Sequence, residues 1–217
     1  MWVAELDQVA LRGLAVGPAD NNAYLVTCLV TGAQLLVDAA AEPDRLLALV
    51  HAGSPGGRLD VVVTTHRHAD HHGGLASLLA VTGARHACGA ADADAVPVGT
   101  DVRLHHGDVV RVGDARLDVI ALAGHTPGGV ALAYAEPATA RAPGAVPGRT
   151  HLFTGDSLFP GGPGRTTSTD DFTRLMTDLA ERVFVLPDDT VVHPGHGRPT
   201  TLGAERPHLA EWWTRGW

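Results

Sequence analysis

Apolar runs alternate with short polar and glycine-rich breaks along this chain. Residues 22–30 and 34–38 read as two strands joined by a turn at Thr31-Gly32. Pro43 suits a first helical turn, and residues 44–51 carry Leu46, Leu47 and Val50 at helical spacing. A loop at 53–57 leads to a strand at 61–64 and a short helix at 74–82 closed by Gly83. The second half is built in the same style. Strands are expected at 101–104, 109–112, 116–121, 130–134, 152–154 and 191–192. A helix is expected at 170–183, with Asp170 or Thr169 as its N-cap, and a terminal helix at 204–214. The stretch 136–149, rich in proline, glycine and small residues, reads as a mobile surface loop. Hairpin and crossover connections mixed in this way predict two sheets face to face with helices outside.

Composition narrows the picture. The chain has 217 residues, enough for one sizeable core, and is expected to form a single domain over 1–217. It is 45% apolar and 18% charged, as globular proteins are, with a net charge of −8. No basic cluster is present, which argues against a nucleic-acid partner. All 16 basic residues are arginine. The two cysteines, Cys28 and Cys88, form no Cys-x-x-Cys pair, so a disulfide framework is not expected, and Cys28 reads as inert core. The start of the chain carries Glu5 and Asp7 and lacks the basic, then apolar, pattern of a secretory signal. No apolar run approaches the roughly 18 residues that span a bilayer. The expectation is a cytoplasmic protein with neither a nucleic-acid nor a membrane partner.

The chemistry is concentrated in His66-Arg67-His68-Ala69-Asp70-His71, which follows the strand at 61–64 and precedes Gly73-Gly74. Neutral imidazole and carboxylate are the usual ligands of catalytic zinc and related metals. Three more clusters place a ligand-type side chain in a glycine-bearing loop after a strand. They are Gly124-His125-Thr126-Pro127, Gly155-Asp156-Ser157 and Pro194-Gly195-His196-Gly197. A single catalytic zinc takes three protein ligands. Here His66, His68, Asp70, His71, His125, Asp156 and His196 make seven, which fits two cations about 3.5–4 Å apart sharing Asp156 and a hydroxide. His66 and His68, two apart on extended backbone, point the same way and can reach one ion. Asp70 and Asp156 are also the candidate catalytic carboxylates, steering the hydroxide. Zinc suits the ligand types, and iron and manganese also accept such sites.

These motifs, in this order, resemble those of the metallo-β-lactamase-fold hydrolases, and within them the glyoxalase II-like (hydroxyacylglutathione hydrolase-like) branch. The resemblance spans residues 14–211. It implies an α+β fold, a four-layer αββα sandwich of two mixed sheets flanked by helices, with the metals at one edge of the paired sheets. It implies that His66, His68 and His125 hold one metal, that Asp70, His71 and His196 hold the other, and that Asp156 bridges. Asp38 matches an acidic residue at the end of an early strand that supports a ligand histidine. Phe159 to Ser168 matches the family's Gly-x-Gly-Arg/Lys stretch, and Arg165 is the candidate for binding a substrate carboxylate. The aromatic and acidic residues that usually follow are replaced by Thr166, Thr167 and Ser168, which puts glutathione in question. The chain ends soon after His196, so no separate C-terminal glutathione-binding domain is expected.

Of the other histidines, His72 reads as a solvent or supporting residue and His193 as structural. His105 and His106 read as exposed, and His51, His86, His151 and His208 as ordinary. Trp212, Trp213 and Trp217 read as helix packing. With no obvious general acid outside the ligands, good leaving groups are favoured over amides. The expected function is a dinuclear metal-dependent hydrolase, using a bridging hydroxide to cleave a small thioester or related ester. The alternatives are a mononuclear iron persulfide dioxygenase, using the positions of His66, His125 and Asp156, and a lactonase or β-lactamase-like hydrolase. A metal-binding protein without turnover is the plainest competing reading.

Overall fold

A computed structural model describes residues 1–216. Its strands are β1 (Trp2–Glu5), β2 (Val9–Val16), β3 (Asn21–Cys28), β4 (Gln34–Val37), β5 (Val61–Thr64), β6 (Arg85–Gly89), β7 (Val102–Leu104), β8 (Val109–Val112), β9 (Ala115–Ala121), β10 (Val130–Ala135), β11 (Thr150–Gly155), β12 (Leu158–Phe159), β13 (Gly162–Pro163), β14 (Val191–Pro194) and β15 (Thr200–Thr201). The helices are α1 (Pro43–Gly53), α2 (Leu75–Thr82), α3 (Thr169–Asp178), α4 (Leu202–Glu205) and α5 (Leu209–Arg215).

Two mixed sheets stack face to face. The first runs β1 to β7 in chain order, antiparallel from β1 to β4 and parallel from β4 to β7. The second has the order β15-β14-β11-β10-β9-β8, with β11 and β14 parallel and the other pairs antiparallel. The apolar strand runs follow from burial on both faces. Val61 and Val63 of β5 enter the layer between the sheets, whereas Val62 faces the layer holding Leu46, Leu49 and Val50 of α1 and Leu75 and Leu78 of α2. In the second sheet, Val130, Leu132 and Tyr134 of β10 face inward, and Ala131 and Ala133 face Phe172, Leu175 and Met176 of α3. Three apolar layers thus separate helix, sheet, sheet and helix, the four-layer order expected. Each fully buried Val or Leu in them contributes roughly 1.5–3 kcal/mol.

Several elements differ from expectation. Strands β1, β2, β6, β12, β13 and β15 lie outside the elements read from sequence. The N-cap of α3 is Ser168, whose side chain accepts the Asp171 N–H at 3.1 Å, so neither Asp170 nor Thr169 caps it. That helix also gives way to a π turn over Leu179–Val183. The terminal helix is broken between α4 and α5 because Pro207, in the turn Arg206–His208, has no N–H to continue the helical ladder. The stretch 136–149 is tied down. Glu136 accepts the Val146 N–H at 2.9 Å, and the Asp7 carboxylate accepts the N–H groups of Arg141 and Ala142.

Cys28 and Cys88 are both buried and free. Trp212 packs on Phe184 and Trp213 on Phe172, as expected of helix packing; Trp217 lies outside the described residues. Among the described residues, no helix is long and apolar enough to cross a membrane.

Candidate metal centre

The predicted ligands come from four places on the fold. His66, His68, Asp70 and His71 follow β5, where the chain turns through the short helix Ala69–His71 toward α2. His125 sits in the β9–β10 connection, Asp156 directly follows β11, and His196 follows β14. An isolated bridge between Asn21 and His196 ties the two sheets together at this end.

The side chains meet. Donor atoms of His66, His68 and His125 lie within 4.8 Å of one another, as do those of His66, His71 and Asp156, and those of Asp70, His71 and His196. Asp156 reaches both sides. Its Oδ1 is 3.3 Å from His71 Nε2, and its Oδ2 is 3.7 Å from His125 Nε2 and 3.5 Å from His196 Nε2. His196 Nε2 is also 3.4 Å from Asp70 Oδ2. The close approach needs a glycine beside it: a Cβ at Gly195 would stand 2.1 Å from Asp156 Oδ1 and 2.7 Å from His71 Cε1.

Hydrogen bonds fix which ring nitrogen faces the cluster. Asp38 is buried with φ of 57° at the end of β4, and accepts the Thr65 N–H and Thr65 hydroxyl, each at 2.7 Å. It also accepts His71 Nδ1–H at 2.8 Å. Thr65 has spent its one proton on Asp38, so its oxygen accepts His66 Nδ1–H at 3.0 Å. His125 Nδ1–H donates to the Arg165 carbonyl at 2.6 Å, and His196 Nδ1–H to the Ala19 carbonyl at 3.0 Å. In their neutral forms these four imidazoles therefore direct Nε2, where a cation would replace any proton, toward the same space. Within it, the buried atoms His66 Nε2, His125 Nε2 and Asp156 Oδ1 have no hydrogen-bond partner. Buried polar atoms are ordinarily satisfied, so orphaned acceptors that converge are the signature of a cation site.

The electrostatics agree. Burial disfavours the charged form of Asp156, yet the close approach of the His196 and His71 rings, and the charge that His71 carries when no cation is bound, hold its carboxyl well below the usual range. Burial would lower His71, but Asp38 and Asp156 outweigh it and push the ring up to about 10. His66 is driven well down by burial and then by the neighbouring His71. The carboxylates at the centre favour positive charge there.

Sequence reasoning missed Asn21. It is buried at the start of β3 and donates through Nδ2 to Asp70 Oδ2 at 2.9 Å. No local signature marks it, because its partners are 49 and 175 residues away. His72 is buried, with Nε2 3.2 Å from the Arg67 carbonyl, a support within the ligand loop. His193 packs between the sheets, and His105 and His106 are exposed, as expected. Arg165 and the hydroxyl residues Thr166, Thr167, Ser168 and Thr169 line a cavity of about 500 Å³ with Phe172. The cavity adjoins the ligands through the Arg165 carbonyl bonded to His125.

Comparison with known proteins gives the family. A hydroxyacylglutathione hydrolase of Polaromonas sp. is 35% identical over 186 residues, covering 81% of this chain and 62% of that protein. One of Rhodospirillum rubrum is 36% identical over 179 residues, covering 82% of this chain and 62% of that protein. The chain thus spans a little under two thirds of the length of these relatives. Among solved structures, ETHE1 from Myxococcus xanthus is 29% identical with a TM-score of 0.72, covering 92% of this chain and 82% of that one. A protein solved in a di-iron-bound form is 30% identical with a TM-score of 0.69, covering 90% of this chain and 96% of that one. Residues 16–139 match the metallo-beta-lactamase superfamily, and with the two stacked sheets and the gathered histidines and aspartates this chain belongs to that superfamily.

Proposed function

We propose that the protein is a dinuclear metal-dependent hydrolase acting on a small thioester, in the manner of glyoxalase II, or on a related ester. The observation that carries this reading is the convergence of seven donor side chains in which Asp156 stands between two groups, one of them His66, His68 and His125, the other Asp70, His71 and His196. These residues would hold two divalent cations, zinc by ligand type with iron or manganese also suited, which would supply an acidified water and Lewis-acid polarisation of a carbonyl.

The protein's own residues prepare that chemistry. Asp38, Thr65 and the carbonyls of Arg165 and Ala19 hold protons on Nδ1 of four histidines, so that each Nε2 remains a ligand. Asp70 and Asp156 orient the nucleophile, and Asn21 fixes Asp70 by its amide hydrogen bond. Arg165 at the neighbouring cavity offers a guanidinium for a substrate carboxylate. A thiolate leaving group, with a pKa near 8.5, departs with little protonic help.

Metal analysis of the purified protein, followed by assays on thioesters, lactones and persulfides, tests the reading. The expected result is about two cations per chain and thioester cleavage. Iron at one equivalent, with oxygen consumption on persulfides and no thioester cleavage, would replace it with a persulfide dioxygenase. The di-iron form of a 30% identical neighbour shows two irons in a related protein of this fold, so iron at two per chain also fits the dinuclear reading.

A further inference from the structure

Asp92 is a fully buried carboxylate outside every motif so far described. It precedes the turn Ala93–Ala95 after β6, yet its side chain faces two ligand loops at once. Oδ2 accepts the Arg67 N–H at 3.0 Å and the Thr126 hydroxyl at 2.6 Å, while Oδ1 accepts the Gly128 N–H at 2.9 Å. The Arg67 guanidinium also approaches, with Nε 3.8 Å from Oδ1. Arg67 lies between His66 and His68, and Thr126 follows His125. The segments meet so closely that a Cβ on Gly128 would lie 2.3 Å from the Asp92 nitrogen.

We propose that Asp92 is a positioning residue for the metal centre. It clasps the His66–His68 loop to the His125 loop and so sets three imidazoles around one cation. The proposal rests on reading those histidines as ligands. Among the described residues, His68 alone of the five ligand histidines has no hydrogen bond on its ring to fix its direction. Its aim is inherited from the backbone, and the Arg67 N–H held by Asp92 is the adjacent anchor. An ionised carboxylate is acceptor-only with about four lone-pair sites, which suits three donors from two loops. An amide at this position has one accepting oxygen and would turn N–H groups against N–H groups.

The test isolates this triad in a His196→Ala background, where the second group of ligands is crippled. The metal-free protein is titrated with Zn2+ against a chromophoric chelator and with Co2+ for its visible absorption, with circular dichroism as a folding control. The parent is expected to bind one cation. Asp92→Ala should bind it about 10–100-fold more weakly, with an altered Co2+ band, and Asp92→Asn should fall between them. Thr126→Val removes one donor only and should weaken binding several-fold, which keeps the test decisive if Asp92→Ala does not fold. A parent that binds while a folded Asp92→Ala matches it in affinity and spectrum overturns the clasp alone. A parent that takes up no cation overturns the ligand reading beneath it.

Discussion

Asp38 Oδ2 accepts the Nδ1–H of His71 at 2.8 Å, linking a buried carboxylate at the end of β4 to a candidate ligand imidazole 33 residues later. The same carboxylate holds the Thr65 N–H and hydroxyl, so it supports His71 directly and His66 through Thr65. Asp38→Asn keeps a side chain that tolerates the left-handed backbone at φ 57°. It replaces one acceptor oxygen with a donor, so a hydrogen bond to Thr65 or His71 is lost. Metal affinity or turnover should fall about 10–100-fold, read by chelator competition and steady-state assay. Unchanged affinity in a folded variant would mean that His71 needs no support.

Among the described residues, Asp156 is the one carboxylate within reach of His71, His125 and His196 together. Asp156→Ala should therefore lower the metal content below two per chain and abolish turnover, a loss beyond the ~100-fold of a supporting residue. Chelation should do the same to the intact protein, with activity returning on Zn2+, Mn2+ or Fe2+. A cation present at about 1,000 times its Kd stabilises by roughly 4 kcal/mol, so the metal-free protein should melt about 10 °C lower. Near-full activity of Asp156→Ala would refute the bridge.

The candidate ligands were legible because each is a histidine or aspartate in a glycine-bearing loop after an apolar run, and those local signals survive without the fold. The strand runs of β3, β4 and β5 were legible for a related reason: both faces are buried, so the apolar residues are contiguous. Strand β2 was not, because Arg12 and Gly13 interrupt its apolar positions and its partners decide its state. Asn21 and Asp92 were invisible as site residues. Each is an ordinary polar residue in sequence, and only the long-range meeting with Asp70, or with Arg67 and Thr126, gives it a role. The broken terminal helix could have been read from Pro207, which forbids a helical hydrogen bond.

Arg165 lines the cavity and its carbonyl is bonded to His125, while the hydroxyl protons of Thr167 and Ser168 are held by Asp171. If its guanidinium holds a substrate carboxylate, Arg165→Ala should raise KM about 10–100-fold with kcat changed much less, the cost of one charge-assisted hydrogen bond. The effect should vanish for a thioester without a carboxylate, so the pair of substrates separates recognition from a general disturbance of the site. Equal losses on both substrates would remove Arg165 from substrate binding.

His193 supplies a test of stability independent of the metal centre. It is stacked between Phe153 at 4.9 Å and Trp2 at 5.4 Å, and His151 Nδ1 lies 3.2 Å from its Nε2. Glu136 accepts His151 Nε2–H at 3.1 Å, so neutral His151 offers a lone pair at Nδ1 and His193 Nε2–H must donate to it. His193 Nδ1 is then left buried without a partner, and a proton placed there would find no acceptor. Burial, then the neighbouring His151, pushes His193 down to about 3. Above the unfolded value of about 6.5 both states are neutral and its linkage costs nothing. Below it the unfolded chain takes up a proton that the folded chain refuses, so stability falls as pH drops from about 6.5 toward 3, at up to ~1.4 kcal/mol per pH unit. Urea denaturation of the metal-free protein at pH 7.5 and 5.0 should show about 2 kcal/mol less pH-dependent loss in His193→Phe than in the wild type. Phe keeps the stacking area while removing the titrating nitrogen, so the comparison reads the pH slope and not the absolute stability. Parallel slopes for the two proteins would mean that the folded state accommodates the proton.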